Sequence, residues 1–338
     1  MTDQGTLKGT LRASVLHVAL AMGAVYLIWG STYLAIRFAI ETIPPFLMAG
    51  ARYVTAGILL YAWSRLRGAP RPTAAQWRSA VLIGAFLLLA GNGGVVWAEQ
   101  RLSSGLAALL ISTEPLWIVL LVWMRSRKER PNRQTVAGLV LGVIGLILLV
   151  KPSPTGGVDL VGAGAILIAS LSWAWGSLYG QRADVPESPL LATAMQMLGG
   201  GALQLGAAVL LGEPARFSLA AVSTKSVASL AYLVIFGAII AFTAYSWLLR
   251  VAPPVLVSTY AYVNPVVAVF LGWAFASEPL TAGTLGAAGV ILTGVALITL
   301  AQGRRAAKRE AKDEERPAPA KQPGPAWEEE AVEVEARR

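Results

Sequence analysis

The chain has 338 residues, of which 55% are hydrophobic and only 14% charged, and it contains no cysteine. A soluble domain carries about 25% charged residues, so this composition indicates that lipid is the main solvent. The lack of cysteine excludes disulfides, thiolate catalysis and sulfur-ligated metal sites. We expect no metal and no cofactor.

The apolar residues are concentrated in ten long runs. A helix that crosses the hydrocarbon of a bilayer needs about 20 mostly apolar residues, because its backbone must satisfy its hydrogen bonds internally. The predicted membrane helices are 16–40, 46–64, 78–98, 104–124, 134–150, 160–180, 189–212, 226–250, 255–276 and 280–301. These runs do not alternate apolar and polar residues as the strands of a membrane barrel do. The sequence therefore predicts an all-α membrane protein with ten transmembrane helices.

The formal net charge of +9 is distributed unevenly over the predicted loops. If the segment 1–15 is a cytoplasmic tail, the opposite side carries only Arg101, Lys151, Arg216 and Lys225. This asymmetry follows the positive-inside rule, so both termini are predicted to be cytoplasmic. The basic residues orient the chain in the membrane and do not indicate a nucleic-acid partner. The segment 303–338 has balanced charge, several prolines and few apolar residues, which predicts a disordered tail.

Two motifs recur about 150 residues further along the chain, which indicates an internal repeat. Trp29-Gly30-Ser31 in the first helix returns as Trp175-Gly176-Ser177 in the sixth. Glu114-Pro115 in the fourth helix corresponds to Asn264-Pro265 in the ninth. Each half, 16–150 and 158–301, holds five helices. Because five is odd, the second half enters the membrane from the opposite side, which predicts two inverted repeats.

The ordered set of motifs resembles the EamA-type transporters of the drug/metabolite transporter superfamily. The set consists of Trp29-Gly30-Ser31, Pro44-Pro45, Arg52, and the mid-helix prolines Pro115 and Pro265. The resemblance covers about residues 16–301. It implies a multi-pass protein of the bacterial inner membrane, with a central cavity lined by both repeats, that exports amino acids, metabolites or drugs. Both a monomer and a homodimer are compatible with it.

The charged residues considered for function are Glu114, Arg52 and Arg37, which lie within the predicted helices. Glu114 is ten residues from either end of its helix, about 15 Å from each surface, and an ionisable group at that depth is a substrate or proton site by default. The alternative is a structural ion pair. Arg52 is the predicted partner of Glu114, either as an anion-recognising group or as a link between helices. Arg37 is close enough to a surface for its side chain to reach water.

The remaining candidates are neutral groups at depth and prolines. The predicted polar and aromatic substrate-binding residues are Asn92, Gln196, Tyr260, Tyr262, Asn264, Trp29, Trp117 and Trp175. The alternative for each of them is packing between helices. Ser112 and Thr113 add hydroxyls beside Glu114. Pro115 and Pro265 are predicted hinges, because each frees a backbone carbonyl one turn earlier.

These features predict a secondary transporter for small polar molecules that works by alternating access in the lipid bilayer. The energy would come from protons or from the substrate gradient, since the sequence holds no phosphate-binding loop of the G-x-x-x-x-G-K type. The alternatives are a small-solute channel and an intramembrane enzyme. A channel typically has a filter on an oligomer axis, and an intramembrane enzyme typically clusters His or paired acids at depth.

Overall fold

A computed structural model describes residues 15–125, 132–150, 158–252, 257 and 259–314. Helices account for nearly all of this part of the chain. The long helices are α1 Val15–Ala39, α2 Pro45–Leu66, α3 Ala74–Ala98, α4 Ser104–Arg125, α5 Arg133–Val150, α6 Leu160–Gly180, α7 Pro189–Leu210, α8 Thr224–Val251, α9 Tyr260–Ala276 and α10 Ala282–Glu314. Each predicted segment overlaps one of them, and most ends agree within about two residues, although α10 extends 13 residues beyond its predicted end.

Local side-chain caps explain where most of these helices begin. Thr73 and Gln76 form a reciprocal capping box at the start of α3. Ser103, Asp159 and Ser223 accept backbone N–H bonds at the starts of α4, α6 and α8. Such caps satisfy N–H groups that have no partner within the helix. The chain therefore specifies its helix boundaries largely with adjacent residues.

Two helices contain a π-helical segment. In α3 it is Ala85–Asn92, and in α8 it is Leu233–Ile240. Each follows a regular α-helical stretch that begins just after a capping residue, Thr73 or Ser223. A π segment is rare and is frequently found at functional sites. The hydrophobic pattern of the sequence did not predict either segment.

The helix α4 is interrupted at Ser112 and Thr113. The Ser112 and Thr113 hydroxyls donate to the carbonyls of Leu109 and Leu110, each over 2.7 Å. Pro115 removes the amide that would bind the carbonyl of Ile111, and the Ser170 hydroxyl of α6 donates to that carbonyl instead, over 3.4 Å. By contrast, α9 continues through Pro265 without a break.

Close glycine contacts hold α7 against α2 and α3. A Cβ on Gly57 would lie 3.0 Å from the backbone nitrogen of Leu198, and one on Gly201 would lie 2.9 Å from that of Val54. Between α3 and α7, Gly84 and Gly200 meet backbone to backbone. Small residues allow such approach, which drives association where lipid replaces water. Elsewhere, α1 packs on α8 and α9, and α6 packs on α3 and α4.

Seven helices in the described part of the chain are long and apolar enough to cross a membrane. They lie within α1, α2, α3, α4, α6, α8 and α10, and two shorter apolar helices are Arg133–Leu149 and Tyr260–Ala276. α7 is also a helix of 22 residues. Large apolar side chains such as Leu27, Ile147 and Ile168 are exposed on the outside of the bundle, as lipid contact requires.

The described residues from Val15 to Ala301 form one compact unit, and a second unit begins at Gln302. Within the second unit, residues 302–314 continue helix α10. The first part of the tail predicted as disordered is therefore helical in the structure. Residues 315–338 lie outside the described part of the chain, as do residues 1–14.

Candidate functional site

Glu114 is the first residue of the second half of α4, directly after the interruption. This position places a carboxylate at the N-terminus of a half-helix, about ten residues from each end of α4. The N–H groups at a helix N-terminus favour a negative charge. The side chain is partly exposed within the bundle, so Glu114 is available to a ligand.

Aromatic side chains from three other helices surround a common point near Glu114. The Trp29 ring lies 5.2 Å from Phe242, 5.1 Å from Tyr245 and 5.1 Å from Tyr260, measured between ring centroids. The rings of Tyr245 and Tyr260 are also in edge-to-face contact, with centroids 5.8 Å apart. We call these four residues the aromatic cluster. It joins α1, α8 and α9.

The charge of Glu114 faces this cluster. The Glu114 carboxylate lies within electrostatic range of the hydroxyls of Tyr245 and Tyr260, and of Tyr33 on α1. The Trp29 Nε1 donates to the carbonyl oxygen of Gly237 over 3.2 Å, which fixes the indole against the π segment of α8. The site therefore combines one carboxylate with aromatic faces and phenolic hydroxyls.

Four predicted site residues carry a buried polar atom without a hydrogen-bond partner. They are the Oδ1 atoms of Asn92 and Asn264, the Nε1 of Trp117 and the Nε of Arg52. Buried polar groups are nearly always hydrogen-bonded, so each exception calls for an explanation. A polar ligand that reached these atoms would supply the missing bonds. Asn92 ends the π segment of α3, and Asn264 immediately precedes Pro265 in α9.

Arg52 does not pair with Glu114, so this prediction was wrong. The three ion pairs among the described residues do not include these two side chains. The Arg52 side chain is only 4% exposed, and its guanidinium lies 4.7 Å from the centroid of the Tyr53 ring. Arg52 packs against Gly237 and acts electrostatically on Glu99. The reason is geometric: Arg52 faces α8 and the end of α3.

Trp175 does not lie in the interior, although its repeat counterpart Trp29 does. Its side chain is 51% exposed, on the same stripe of α6 as Val161 and Ile168 at intervals of seven residues. That stripe faces outwards. Gln196 likewise makes no hydrogen bond to the residues of the aromatic cluster. In α7, its backbone carbonyl contacts Gly84.

Tyr262 lies on α9, two residues after Tyr260, and its backbone N–H donates to the carbonyl oxygen of Thr259 over 3.3 Å. The Tyr26 hydroxyl of α1 also hydrogen-bonds to the Thr259 hydroxyl, so this pair links α1 to the start of α9. Tyr262 is thus placed as a helix contact at the edge of the candidate site. The carbonyl that Pro115 frees is occupied by Ser170 and is not open to a ligand.

Sequence reasoning missed Tyr33, Phe242 and Tyr245. Tyr33 follows Trp29 by four residues, so helical periodicity places both on the same face of α1 and was a usable signal. Phe242 and Tyr245 had no such signal, because the local sequence of α8 does not indicate which face of this helix contacts α1. Glu99 was also missed, since it stands at the end of an apolar run where an exposed acid is usual.

The fold and the site define a multi-pass α-helical membrane protein with a polar, aromatic-lined site inside its helix bundle. A sequence model of the EamA-like transporter family matches residues 16–151 and again residues 160–300. The chain belongs to this family. It is a transport protein of the inner membrane, with several membrane-spanning helices.

Individual relatives agree with this assignment. The uncharacterized inner membrane transporter YedA of Escherichia coli is 41% identical over 281 residues, which cover 83% of this chain and 90% of YedA. Protein PecM of Dickeya dadantii is 30% identical over 277 residues, covering 80% of this chain and 88% of PecM. A protein of known crystal structure matches with a TM-score of 0.58 at 20% identity, over 86% of this chain and 98% of its own. That likeness concerns the fold alone.

Proposed function

We propose that this protein is a secondary transporter that exports small polar molecules (amino acids, metabolites or drugs) by alternating access. The transporter would consist of two inverted five-helix repeats, 16–150 and 158–301, with both termini in the cytoplasm. The separate family match to each half supports this arrangement. So do the π segments of α3 and α8, which follow capping residues at corresponding places in the two halves.

The observation that carries the proposal is the placement of Glu114 opposite the aromatic cluster at the break in α4. A carboxylate attracts a cation, and the faces of Trp and Tyr rings attract cations as well. The substrate would therefore carry a protonated amine, held between Glu114 and the rings of Trp29 and Tyr260. The unpartnered atoms of Asn92, Trp117 and Asn264 would orient its neutral polar groups.

The interruption of α4 is the proposed hinge. Its two halves meet at Ser112 and Thr113, just before Pro115, where the ladder of backbone hydrogen bonds is broken. A change of angle there would move Glu114 and Trp117 relative to α1. Pro265 is the corresponding hinge in α9. The energy source would be a proton gradient or the gradient of the substrate itself, and the structure of the site is compatible with either.

The test is transport by purified protein in liposomes after an efflux and toxicity screen has identified an amine substrate. Glu114→Gln keeps the size and hydrogen-bonding capacity of the side chain but removes its charge. We expect it to reduce transport of the cationic amine by at least tenfold, while the melting temperature stays close to that of the wild type. Glu41→Gln, at an exposed acid, is the matched control and should transport normally.

A double variant, Glu114→Gln/Arg52→Gln, separates function from a structural ion pair. Loss of one partner of a buried pair destabilises the protein by about 3–5 kcal/mol, and removing the other partner restores stability. Because Arg52 and Glu114 are not paired, we expect no such restoration. Wild-type transport rates in Glu114→Gln would refute the proposed site. In an alternating-access transporter, substrate on the far side accelerates uptake, an effect called counterflow. Transport that shows no counterflow would indicate a channel.

A further inference from the structure

Ionic contacts between the two halves of the chain are concentrated at one end of the bundle. Arg37 pairs with Glu278 over 3.7 Å, Arg101 with Asp159 over 3.6 Å, and Lys225 donates to Glu41 over 2.6 Å. These are the ion pairs of the described residues, and each joins a residue before 151 to one after 158. Glu213 accepts backbone N–H bonds from the start of α2 at the same end.

Glu278 is the centre of this closed end. Its Oε1 accepts a hydrogen bond from the backbone nitrogen of Ser104 over 2.7 Å, and its Oε2 accepts one from Gly105 over 3.0 Å. Both donors belong to the N-terminus of α4. The preceding residue, Ser277, has a left-handed backbone with φ 55°, which turns the chain so that Glu278 reaches α4. Arg37 completes the set from α1 and also donates to the carbonyl of Leu102 over 3.2 Å.

Glu99 lies beside this set without a partner of its own. It directly follows α3, its side chain is 1% exposed, and neither carboxyl oxygen has a hydrogen-bond partner. The groups that face it electrostatically are Tyr33 and Arg37 from α1, Arg52 from α2 and Glu278 from the loop before α10. We refer to Arg37, Glu99, Glu278 and the first two residues of α4 as the seam.

The surroundings of Glu99 determine its protonation. Burial raises the pKa of Glu99 well above the usual range, and the neighbouring Glu278 carboxylate raises it further, while Arg37 and Arg52 oppose both effects. Glu278 binds two backbone N–H groups and an arginine, whereas Glu99 has no hydrogen-bond partner, so the raised pKa of Glu99 favours its protonated form. In the closed seam, Glu99 is thus a neutral acid.

We propose that Glu99 is a proton-binding site that is filled when the seam closes and emptied when the seam opens. The inference rests on the proposed alternating-access function and makes closure at this end depend on a proton. When the seam opens, water reaches Glu99, and its pKa falls towards the ordinary value of about 4.3. The proton then leaves to water on the opened side, and a proton from that water binds Glu99 when the seam closes again. One proton would therefore accompany each passage through the closed state at this end.

The sign of the pH dependence follows from linkage. The closed seam binds the proton more tightly than the open seam, so low pH favours closure. Between the ordinary pKa and the raised pKa, each increase of one pH unit shifts the ratio of open to closed molecules about tenfold towards open. Below the ordinary pKa both forms are protonated, and the ratio no longer depends on pH.

The experiment measures opening directly, without a substrate. Because the chain has no cysteine, a single introduced thiol reports on its own position. Ser104→Cys places that thiol in the seam, where Ser104 is fully buried and its hydroxyl has no partner. Gln100→Cys places it at an exposed position nearby. The full chain in lipid nanodiscs is labelled with a maleimide from pH 5.5 to 8.5. The ratio of the two labelling rates removes the pH dependence of the thiol reaction itself.

We expect this ratio to rise with pH by up to tenfold per unit in the otherwise wild-type chain and in Glu99→Asp, which keeps a carboxyl. It should be independent of pH in Glu99→Gln, which mimics the protonated acid. Glu41→Gln, at the exposed ion pair of the same end, should leave the rise intact.

Three results would overturn the assignment: a flat ratio in the wild-type background, a rise that persists in Glu99→Gln, or a rise that disappears in Glu41→Gln. If the Glu99→Gln protein does not elute as a single folded species, the wild-type background is compared with Glu99→Asp instead. A labelling ratio that does not change with pH in either of these chains would then refute the proposal. Because no substrate is used, an intact rise combined with failed amine transport would refute the proposed function and leave the proton site standing.

Discussion

The contact between α3 and α7 can be tested with two glycines of α7 that differ only in their surroundings. A Cβ at Gly200 would lie 2.7 Å from the Cβ of Leu88 and 2.8 Å from the carbonyl oxygen of Gly84. A Cβ at Gly206 would have no neighbour within 4 Å. Gly84 immediately precedes the π segment that ends at Asn92, so this contact positions part of the candidate site.

The two substitutions are expected to change the free energy of unfolding differently. Within a helix, Ala is favoured over Gly by about 1 kcal/mol, and this gain applies at both positions. At Gly200 the added methyl must displace the backbone of α3, and overpacking of this kind costs about 1–3 kcal/mol. Gly206→Ala should therefore raise the free energy of unfolding, whereas Gly200→Ala should lower it or leave little gain. The difference between the variants isolates the cost of overpacking.

The assay is thermal unfolding followed by intrinsic fluorescence, for which the 11 tryptophans give a strong signal. A change of 1 kcal/mol shifts the melting temperature by about 2–4 °C in proteins of 150–250 residues. We expect Gly200→Ala to melt at least 2 °C below Gly206→Ala. Equal shifts in the two variants would show that α3 moves away from α7 without cost, and the close packing argued for this helix pair would be wrong.

Three further outcomes are expected. Glu213→Gln should lower stability by about 1–3 kcal/mol in a thermal or denaturant melt, because the 3%-exposed carboxylate binds the backbone amides of Phe46 and Leu47. Glu41→Gln removes an exposed ion pair and should lower stability by less than about 1 kcal/mol. Similar losses in the two variants would contradict the capping role of Glu213. Trp29→Phe should reduce transport efficiency about 5- to 100-fold through lost ring contacts and the bond to Gly237. Trp175→Phe should change it less than twofold, and the reverse order would disprove the assignment of inner and outer faces. A reporter enzyme that is active only in the periplasm should be inactive when fused after Gly303. Activity of this fusion would show that the predicted topology is wrong.

The positions of the helices could be predicted from the sequence because their causes are local. Long apolar runs must form helices in lipid, since only internal hydrogen bonds can satisfy their backbones. Capping residues such as Ser103 and Asp159 then set the ends within a few residues of each helix. The depth of Glu114 follows from counting along one helix. The family resemblance rested on the same local motifs, and the family match confirmed it.

The sequence could not predict which residues of neighbouring helices contact one another. Trp29 and Trp175 occupy matching motifs, yet one is inside the bundle and the other outside, because the rotation of each helix about its axis depends on its neighbours. The predicted partnership of Arg52 with Glu114 was wrong for the same reason, since Arg52 faces Gly237 and acts on Glu99. Glu99 became notable only when burial and the lack of a hydrogen-bond partner were known. The sequence determines which residues enter the membrane and how deep they lie, whereas packing between helices decides which of them meet.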